Sequence, residues 1–477
     1  MLGMASRGER MLEQRDAILV AAGAGLLFMV FAQRAFHGAD ALGFLRALAV
    51  GDLRHPHHPL YVPLLAGSSS MLAWFGVSSY RAAVFASGLG AAIGCGCAYL
   101  AARTSGSTPL RAVATAALVA ATPAVLFFAT VVEVPGVLLG LAGIGWLLAA
   151  RLAAAAPGAQ RLLVAALGAS TAVAAAVHAT GHLLPCWLLP WALRARRRRD
   201  ALGLAGVGLA AHVLLTLFFT SGLHALGWPI AAGEQGAFVW EHLRQVPRFD
   251  LLLQVVWNEW LHAFLPISVL VLAGAWRSEL RAHLRLFGAA LLVHLLVTFV
   301  LVRDANERGA YLVPLVLPCA WLCARALAPA LLGLALVIGA TCAVWQVAAH
   351  DVVRGEPHFV QDLRAATSGQ RPFLFLFEFG EMETILRDDP SIPFASIDPW
   401  FQVDAKALPH ALASLDAVIA EQLRTGMTVY LAESAYVALG RADRSLAGPE
   451  ILRHLQTRYP LTCVERGAFR ARRLGPP

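Results

Sequence analysis

Charged residues are scarce in this chain of 477 residues: they make up 14% of it, against roughly 25% in a typical soluble domain. Hydrophobic residues make up 58%, and the mean hydropathy is +0.63. So few charges cannot cover a globular surface with polar groups, which excludes an ordinary soluble enzyme and favours a lipid environment. The apolar content also excludes a disordered chain, and no glycine period or sustained heptad predicts collagen or a coiled coil.

Several chemical signatures are missing as well. No two cysteines have the CxxC spacing, which argues against a zinc ribbon or a thioredoxin-type site. The sequence has no P-loop and no GxGxxG motif opening a helix after a strand, so it predicts no nucleotide site. The apolar run 17–36 lacks a small-residue cleavage site and is therefore predicted to be a transmembrane helix rather than a signal peptide.

Positive charge is concentrated in short loops beside apolar runs. The net charge is +8, and the densest cluster is the arginine-rich loop 194–199. In a membrane protein such clusters mark the cytoplasmic side. No basic patch interleaved with aromatic residues predicts nucleic-acid binding. The composition, rich in alanine and arginine and poor in lysine, suggests a GC-rich bacterial genome and hence the bacterial inner membrane.

Eleven to twelve apolar segments are long enough, or nearly long enough, to cross a bilayer. They are residues 17–36, 59–77, 82–102, 112–130, 133–150, 161–177, 180–193, 201–221, 251–274, 286–302, 310–327 and 329–348. Arg7, Arg10 and Arg15 predict a cytoplasmic N-terminus, and the basic loops 194–199 and 277–285 are predicted to be cytoplasmic too. This topology puts 222–250, 303–309 and everything after 348 on the outside.

The count of crossings near the N-terminus is inconsistent. A cytoplasmic N-terminus and a cytoplasmic Arg194 require an even number of crossings between them, but seven apolar segments lie there. One of them does not cross. The segment 59–77, which contains Gly67, and the short segment 180–193 are the two candidates, and the sequence does not decide between them.

The composition changes after about residue 350. Residues 371–377 and 427–431 have the pattern of short buried strands, and 405–424 has the pattern of a helix between them. The predicted fold is therefore mainly α, a polytopic transmembrane helical bundle over 1–349 followed by a small extracytoplasmic α/β domain over 350–477.

The first external loop, about 37–58, carries an unusual density of titratable side chains. A carboxylate there, Asp40 or Asp52, can serve as a general base for an incoming hydroxyl, or can be a solvated loop charge. His55, His57 and His58 can bind a metal ion, or can belong to a rigid loop at the lipid headgroups.

Two ionisable residues, Glu133 and His178, stand within or beside apolar segments, where such residues usually face a cavity or a partner. Both are predicted to lie near the outer face, as is Asp40, and three converging titratable groups are what an active site needs. The alternative is that each locks neighbouring helices together through hydrogen bonds.

Arginines on the same face form the other candidate group. Arg303 and Arg308 can bind the oxygens of a phosphate bidentately, or can only neutralise Asp304 and Glu307 in a solvated loop. The external loop 222–250 contains Trp228 and other tryptophans that anchor a chain at the membrane interface, or that cover an acceptor groove.

The stretch that follows Asp40 resembles a known family. His55-Pro56-His57-His58-Pro59-Leu60-Tyr61 is similar to the first loop of GT-C-type glycosyltransferases, nearest the bacterial branch related to protein O-mannosyltransferases, although it is one residue shorter than H-P-P-G-x-P-L-Y and lacks the glycine. The segment 127–134 resembles the family's glutamate segment, with Pro135 where tyrosine is frequent, and 175–180 resembles its histidine segment. Together the similarities cover roughly the first 195 residues.

The resemblance implies an inverting membrane glycosyltransferase that moves a sugar from a polyprenyl-phosphate donor to a hydroxyl acceptor at the outer face. Asp40 is the implied general base. No cofactor is expected to be required, and a divalent metal is not expected. The acceptor hydroxyl can belong to a protein, a glycan or a lipid. The residues assigned to the site are Arg303, Arg308, His55 and Tyr61 for donor binding, and Glu133, His178, His58 and Asp52 for support of the active site.

Two other classes of protein fit part of the pattern. A transporter or flippase for a lipid-linked or anionic substrate also has many helices and a few intramembrane ionisable groups, but it often has internal repeats, and none is visible. A non-catalytic assembly partner would tolerate the loss of Asp40, Glu133 and Arg308 together.

Overall fold

The computed structural model describes residues 7–55, 57–228, 249–302, 307–352, 358–401, 406–441 and 447–476. The chain divides into two compact units. The first unit consists of Met1–Ala41 and Gly51–Asp351, and the second consists of Leu42–Val50 and Val352–Pro477. The short segment 42–50 is thus grouped with the C-terminal residues, although it belongs to the predicted first external loop.

The first unit is built from helices. Its α-helices are α1 (Arg7–Val30), α2 (Gly38–Val50, which continues into the second unit), α3 (Tyr61–Ala73), α4 (Ser79–Thr104), α5 (Pro109–Ala120), α6 (Pro123–Ala129), α7 (Val134–Ala154), α8 (Gln160–Val177), α9 (Leu184–Leu193), α10 (Arg198–Leu217), α11 (Leu223–Ala225), α12 (Phe249–Gln254), α13 (Ile267–Leu270), α14 (Arg281–Val297), α15 (Val316–Ala326) and α16 (Pro329–His350). Short 3-10 helices occupy Pro157–Ala159, Ala179–Leu183, Val271–Trp276, Ser278–Leu280 and Ala310–Leu315, and π-helical turns occupy Phe218–Gly222, Val255–His262 and Thr298–Val302.

The predicted fold class, a mainly α transmembrane bundle with a small α/β part, is confirmed. Within the described ranges, six helices are long and apolar enough to cross a membrane, or eight if each of two bent pairs counts as one span. Each predicted apolar segment coincides with at least one helix, but several of these helices are short or bent. One bend, of 67°, separates α5 from α6 at Pro123, where a proline cannot donate the backbone hydrogen bond that would continue a helix.

Arginines gather at one end of the first unit, called here the arginine end and defined by Arg103, Arg111, Arg196 and Arg325. Arg103 pairs with Glu13 of α1 at 2.8 Å. Arg111 donates to the carbonyl of Arg325 at 2.9 Å, and Arg325 donates to the carbonyl of Ser105 at 3.2 Å. These bonds satisfy carbonyls at helix ends, where intrahelical partners are lacking.

The opposite end is called here the carboxylate end and is defined by Gln33, Thr130, Glu133 and His178. Helix α3 begins there, since the Leu60 amide donates to the Ala176 carbonyl at 3.2 Å. The next helix, α4, also begins there, since the Tyr80 hydroxyl donates to the Gln33 carbonyl at 2.7 Å. Helix α3 therefore starts and finishes at the same end.

The other short segment does cross the unit. It leaves His178 at the carboxylate end and reaches, just after α9, Arg196, which donates to the carbonyl of Ala155 at 2.9 Å at the arginine end. Of the two segments that the sequence left undecided, 59–77 is therefore the one that does not cross, and the even count of crossings is restored.

Glycines allow α4 and α7 to pack closely side by side. A methyl group added at Gly140 of α7 would lie 2.5 Å from the carbonyl oxygen of Gly90 in α4, and one added at Gly90 would lie 2.6 Å from the Cα atom of Val137. Gly94 and Gly136 line the same contact. Small residues at such spacing are typical of close helix pairs in membranes.

The second unit contains a sheet of five strands. The strands are β1 (Pro372–Leu376), β2 (Phe394–Ser396), β3 (Thr428–Ala432), β4 (Leu461–Arg466) and β5 (Phe469–Leu474), and the helices are α17 (Phe359–Ala366), α18 (Phe379–Asp388), α19 (Asp398–Phe401), α20 (Leu408–Arg424), α21 (Glu433–Gly440) and α22 (Gly448–Arg458). The strand order is β2-β1-β3-β5-β4. β1 is parallel to β2 and β3, whereas β5 is antiparallel to β3 and β4. All residues of β1 are apolar and buried, which explains why residues 371–377 have the sequence pattern of a buried strand.

We predict that Gly140→Ala lowers the thermal stability of the detergent-solubilised protein. The added methyl group would meet a backbone oxygen that cannot move aside without shifting α4, and overpacking of this kind costs about 1–3 kcal/mol. Thermal unfolding of wild type and variant measures the effect. The control is Gly206→Ala in α10, where the added methyl group meets nothing within 4 Å; equal melting temperatures for both variants would contradict the close packing.

Candidate active site

The turn between α1 and α2 is held in place by hydrogen bonds. The Gln33 amide nitrogen donates to the Thr130 carbonyl at 2.9 Å, and its side-chain Nε2 donates to the Thr130 hydroxyl at 2.7 Å. Asp351 accepts hydrogen bonds from the backbone amides of Arg34 at 2.6 Å and Ala35 at 3.1 Å. The start of α2, and with it Asp40, is therefore fixed against α6 and α16.

Asp40 lies in the first turn of α2 and is exposed. A carboxylate is stabilised at this position by the helix dipole. Its charge acts on His58 and on Glu133. The structure thus brings together three residues that the sequence separates by up to a hundred positions.

Glu133 is half-buried and caps α7, where its carboxylate accepts from the Val134 amide at 3.4 Å. Burial raises the pKa of Glu133 well above its ordinary value, and the negative charges of Asp40 and Glu307 raise it further. Two carboxyl groups in one site are therefore unequal: Glu133 is held towards its protonated form, whereas Asp40 faces solvent.

Three imidazole rings and a tyrosine form a row beside these carboxyl groups. The His58 ring lies 5.1 Å from the His55 ring and stacks on the His178 ring at 5.5 Å, and the His178 ring lies 5.4 Å from that of Tyr311. His58 Nδ1 donates to the Val177 carbonyl at 2.8 Å, and His178 Nδ1 is 2.7 Å from the hydroxyl oxygen of Thr180.

Burial keeps this row neutral. It lowers the pKa of His178 to about 3, with a further contribution from the charge of His58. It lowers the pKa of His55 to about 4, and it also lowers the pKa of His58, against the opposing effects of the Val177 carbonyl and Asp40. Neutral imidazoles can accept hydrogen bonds from a substrate, or donate hydrogen bonds to it, without adding charge.

Arg308 is presented on an aromatic ring. Its guanidinium carbon lies 4.5 Å from the centre of the Phe127 ring. Arg308 and Gly309 both have positive φ angles, 52° and 82°, and the Gly309 amide donates to the buried carboxylate of Glu259 at 2.6 Å. The backbone turn held by Glu259 thus aims the arginine at the aromatic ring of α6.

Three residues of this region were missed by the sequence analysis. His37 and His350 pack edge-on against Phe127 at 4.8 Å each, and His350 is bonded to the Gln33 side-chain oxygen at 2.7 Å. Glu259 is fully buried. Glu259 could have been singled out from the sequence, because an ionisable residue within an apolar segment such as 251–274 usually faces a cavity or a partner. The position of His350 at the end of an apolar helix was a weaker indication.

The structure also places Asp52 and Tyr61, whose predicted roles stay predictions. Asp52 is exposed and pairs with Arg54 at 3.0 Å, and its hydrogen bonds with Arg54 lower its pKa. Tyr61 is fully buried, and its hydroxyl lies near Ser87 and within the electrostatic influence of Glu133. Arg303 lies outside the described residues, as does most of the predicted loop 222–250.

No group of three or more histidine, cysteine, aspartate or glutamate residues suited to a metal ion occurs in the part of the chain that the structure describes. Within the first loop the His55 ring lies 6.1 Å from that of His57 and 5.1 Å from that of His58, and His55 Nδ1 accepts hydrogen bonds from the backbone amides of both.

The fold is similar to that of solved membrane glycosyltransferases. ArnT from Cupriavidus metallidurans, bound to undecaprenyl phosphate, superposes with a TM-score of 0.62 at 16% identity, over 96% of this chain and 97% of that one. The Archaeoglobus fulgidus oligosaccharyltransferase superposes with a TM-score of 0.55 at 12% identity, over 95% and 74%. Arabinofuranosyltransferase AftD from Mycobacteria superposes with a TM-score of 0.52 at 14% identity, over 97% and 40%.

No family model matches the chain, and no curated protein matches it either. The three neighbours are GT-C glycosyltransferases, and the chain has their fold, as the sequence resemblance predicted. The closer link to the branch related to protein O-mannosyltransferases stays a prediction.

We predict that His178→Asn reduces the loss of stability on acidification. Because the folded-state pKa of His178 is about 3 and an unfolded histidine titrates near 6.5, the unfolded chain binds a proton that the folded chain does not. Wild type should therefore lose up to about 1.4 kcal/mol per pH unit from this group as the pH falls below 6.5.

Thermal unfolding at pH 7 and pH 5 measures this slope, which should be shallower in His178→Asn. His57→Asn, a change at an exposed histidine of the same loop, is the matched control. A slope in His178→Asn that equals the wild-type slope would contradict a buried, neutral His178.

Proposed function

We propose that this chain is a membrane glycosyltransferase that moves a sugar from a polyprenyl-phosphate donor to a hydroxyl acceptor, with inversion and with Asp40 as the general base. The observation that carries the proposal is the meeting of an exposed carboxylate, Asp40, with the half-buried Glu133 at one end of a GT-C fold. The neighbours support the donor class: ArnT was solved with undecaprenyl phosphate, and the Archaeoglobus fulgidus enzyme AglB with a dolichol-phosphate.

In this mechanism Asp40 accepts the proton of the acceptor hydroxyl as its oxygen attacks the anomeric carbon, and the lipid phosphate leaves. A general base must be ionised and accessible, and Asp40 is the exposed carboxyl group. Glu133 keeps its proton because of burial and the charge of Asp40, so it can donate a hydrogen bond to the sugar. The two carboxyl groups then have different tasks, set by their surroundings.

Arg308 is proposed to bind the donor phosphate. The guanidinium carbon lies over the Phe127 ring, and the N–H groups of a guanidinium lie in its plane, where they can donate to phosphate oxygens. The leaving phosphate gains negative charge in the transition state, so an arginine at this position favours departure.

An open apolar groove of about 400 Å³ offers a place for the polyprenyl tail. It runs between α1, α5 and α16, and its lining includes Phe31 and Leu126, the neighbour of Phe127. Most other lining residues are alanine, leucine or valine. We propose that the polyprenyl tail lies in this groove while the phosphate is held by Arg308, because Leu126 of the lining precedes Phe127 in α6.

We further propose that the arginine end faces the cytoplasm of a bacterial inner membrane and the carboxylate end faces outward. Short basic loops mark the cytoplasmic side. Helix α16 finishes at the carboxylate end, where His350 is bonded to Gln33, so the C-terminal unit follows on the outer side. Nucleotide sugars are absent there, which agrees with a lipid-linked donor.

Asp40→Asn should abolish sugar transfer, a loss of at least about 100-fold, because a general base contributes about 10²–10⁴ to the rate. Donor binding and expression should be retained. Asp52→Asn is the matched control, since Asp52 is an exposed carboxylate of the same loop that pairs with Arg54, and it should transfer normally. Transfer by Asp40→Asn at the wild-type rate would rule out Asp40 as the base.

Arg308→Gln should weaken binding of a polyprenyl-phosphate sugar by about tenfold or more, the loss expected for a charge-assisted hydrogen bond. Arg54→Gln, which removes an exposed arginine of the first loop, serves as the control. Titration of the donor lipid in nanodiscs measures both affinities. Equal affinities for Arg308→Gln and wild type would exclude a role for this arginine in holding the phosphate.

Alkaline phosphatase fused after Pro477 should be active in a bacterial host, because the proposed orientation exports the C-terminal unit. The same enzyme fused within the basic loop 194–199 should be inactive. The reverse pattern of activity would contradict the proposed orientation.

A further inference from the structure

The second unit contains an open polar cleft of about 930 Å³, within the size range of roughly 300–1,000 Å³ that is usual for ligand sites. The functional site described above does not include it. The polar lining residues that matter here are Asp362, Glu378, Glu381, Glu433, Ser434 and Arg470.

The cleft lies where the topology of the sheet favours a ligand. From β1 the chain passes through α18 to β2, on one side of β1, and from β3 it passes through α21 and α22 to β4 and β5, which lie on the opposite side of β3. The connections therefore diverge at the carboxyl ends of β1 and β3, the point at which open parallel sheets bind ligands. Glu378 follows β1, and Glu433 and Ser434 follow β3, at this point.

Three of the four carboxylates of the cleft are already oriented by partners. Glu381 accepts a hydrogen bond from the Ser434 hydroxyl. Asp362 accepts from the Ala468 amide at 2.8 Å, and Glu433 pairs with Arg472 at 2.8 Å. A carboxylate has about four lone-pair positions, so each group retains capacity to accept further hydrogen bonds in a fixed direction. Burial raises the pKa of Glu381 to about 7.

We propose that this cleft binds a neutral saccharide through its hydroxyl groups. Adjacent sugar hydroxyls donate to the oriented carboxylates, Arg470 donates to sugar oxygens, and the half-buried ring of Phe377 offers an apolar surface to a sugar face. The assignment of this saccharide to the acceptor of the transferase rests on the proposed function. The binding of a saccharide to the cleft does not rest on it.

The charges of the lining select against other ligands. The four carboxylates outnumber the two arginines of the cleft, Arg441 and Arg470, so a phosphate or another anion meets net repulsion. The net negative charge attracts an organic cation, but such a ligand offers the arginine N–H groups no acceptor. A neutral, hydroxyl-rich ligand satisfies both kinds of group without net charge.

Saturation-transfer NMR on the full-length protein in nanodiscs tests the proposal, with neutral gluco-, manno- and galacto-trisaccharides as probes. At least one trisaccharide should bind wild type, and its affinity should fall about tenfold in the double variant Glu378→Gln/Arg470→Ala, as expected for the loss of charge-assisted hydrogen bonds. Both residues are exposed, so folding should be unaffected, and thermal unfolding checks this. Glu450→Gln, an exposed glutamate of α22 outside the cleft lining, should bind as wild type does.

A second variant makes the test independent of charge. Val437 lines the cleft and is 48% exposed, so Val437→Trp should fill it and abolish binding. The proposal is overturned if no trisaccharide binds wild type, if the cleft variants bind as well as wild type, or if only inorganic phosphate or spermidine gives a signal sensitive to these variants. Asp40→Asn should retain full saccharide binding, so a failure of the transferase function and a failure of this inference are distinguishable.

Discussion

Burial acts unequally on two carboxyl groups that share one end of the helical unit, and the proposed chemistry depends on that inequality. Glu133 caps α7 in a half-buried position, where desolvation and the charge of Asp40 favour its protonated form. Asp40 begins α2 in an exposed position, beside a row of neutral imidazoles. In the proposed mechanism Asp40 accepts a proton and Glu133 donates a hydrogen bond, although both are carboxylic acids.

The scaffold holds this pair in place through a few close contacts. Glycines bring α4 and α7 together and so set the position of the Glu133 cap. Gln33, Thr130 and Asp351 hold the turn that carries Asp40. A buried carboxylate, Glu259, holds the turn that carries Arg308 against Phe127. Each chemically active side chain therefore depends on a polar or glycine contact made by a residue outside the reaction.

Much of this organisation is predictable from the sequence, because apolar runs and basic loops report helices and their ends directly. The segments and the α/β composition after residue 350 follow from such signals, whereas the GT-C fold was predicted from the resemblance of 55–61, 127–134 and 175–180 to that family. The failure of α3 to cross was not predictable, since it depends on the contact between Leu60 and Ala176. His37 and His350 reach the site through tertiary contacts such as their packing on Phe127, and the divergence of connections beside β1 depends on strand order; no local sequence pattern reports either. Asp52, which was predicted to support the active site because it lies in the first external loop, pairs with Arg54.

The central claim, that the carboxylate end transfers a sugar from a lipid phosphate, is tested most directly by reconstituting the wild-type protein in liposomes with polyprenyl-phosphate sugars and hydroxyl acceptors. Glycoside formation and movement of the donor lipid between leaflets would be followed in the same vesicles. We expect a new glycosidic bond of inverted anomeric configuration and one polyprenyl phosphate released for each sugar transferred. Movement of the lipid between leaflets without any glycoside would contradict the proposed transferase function and would indicate a transporter.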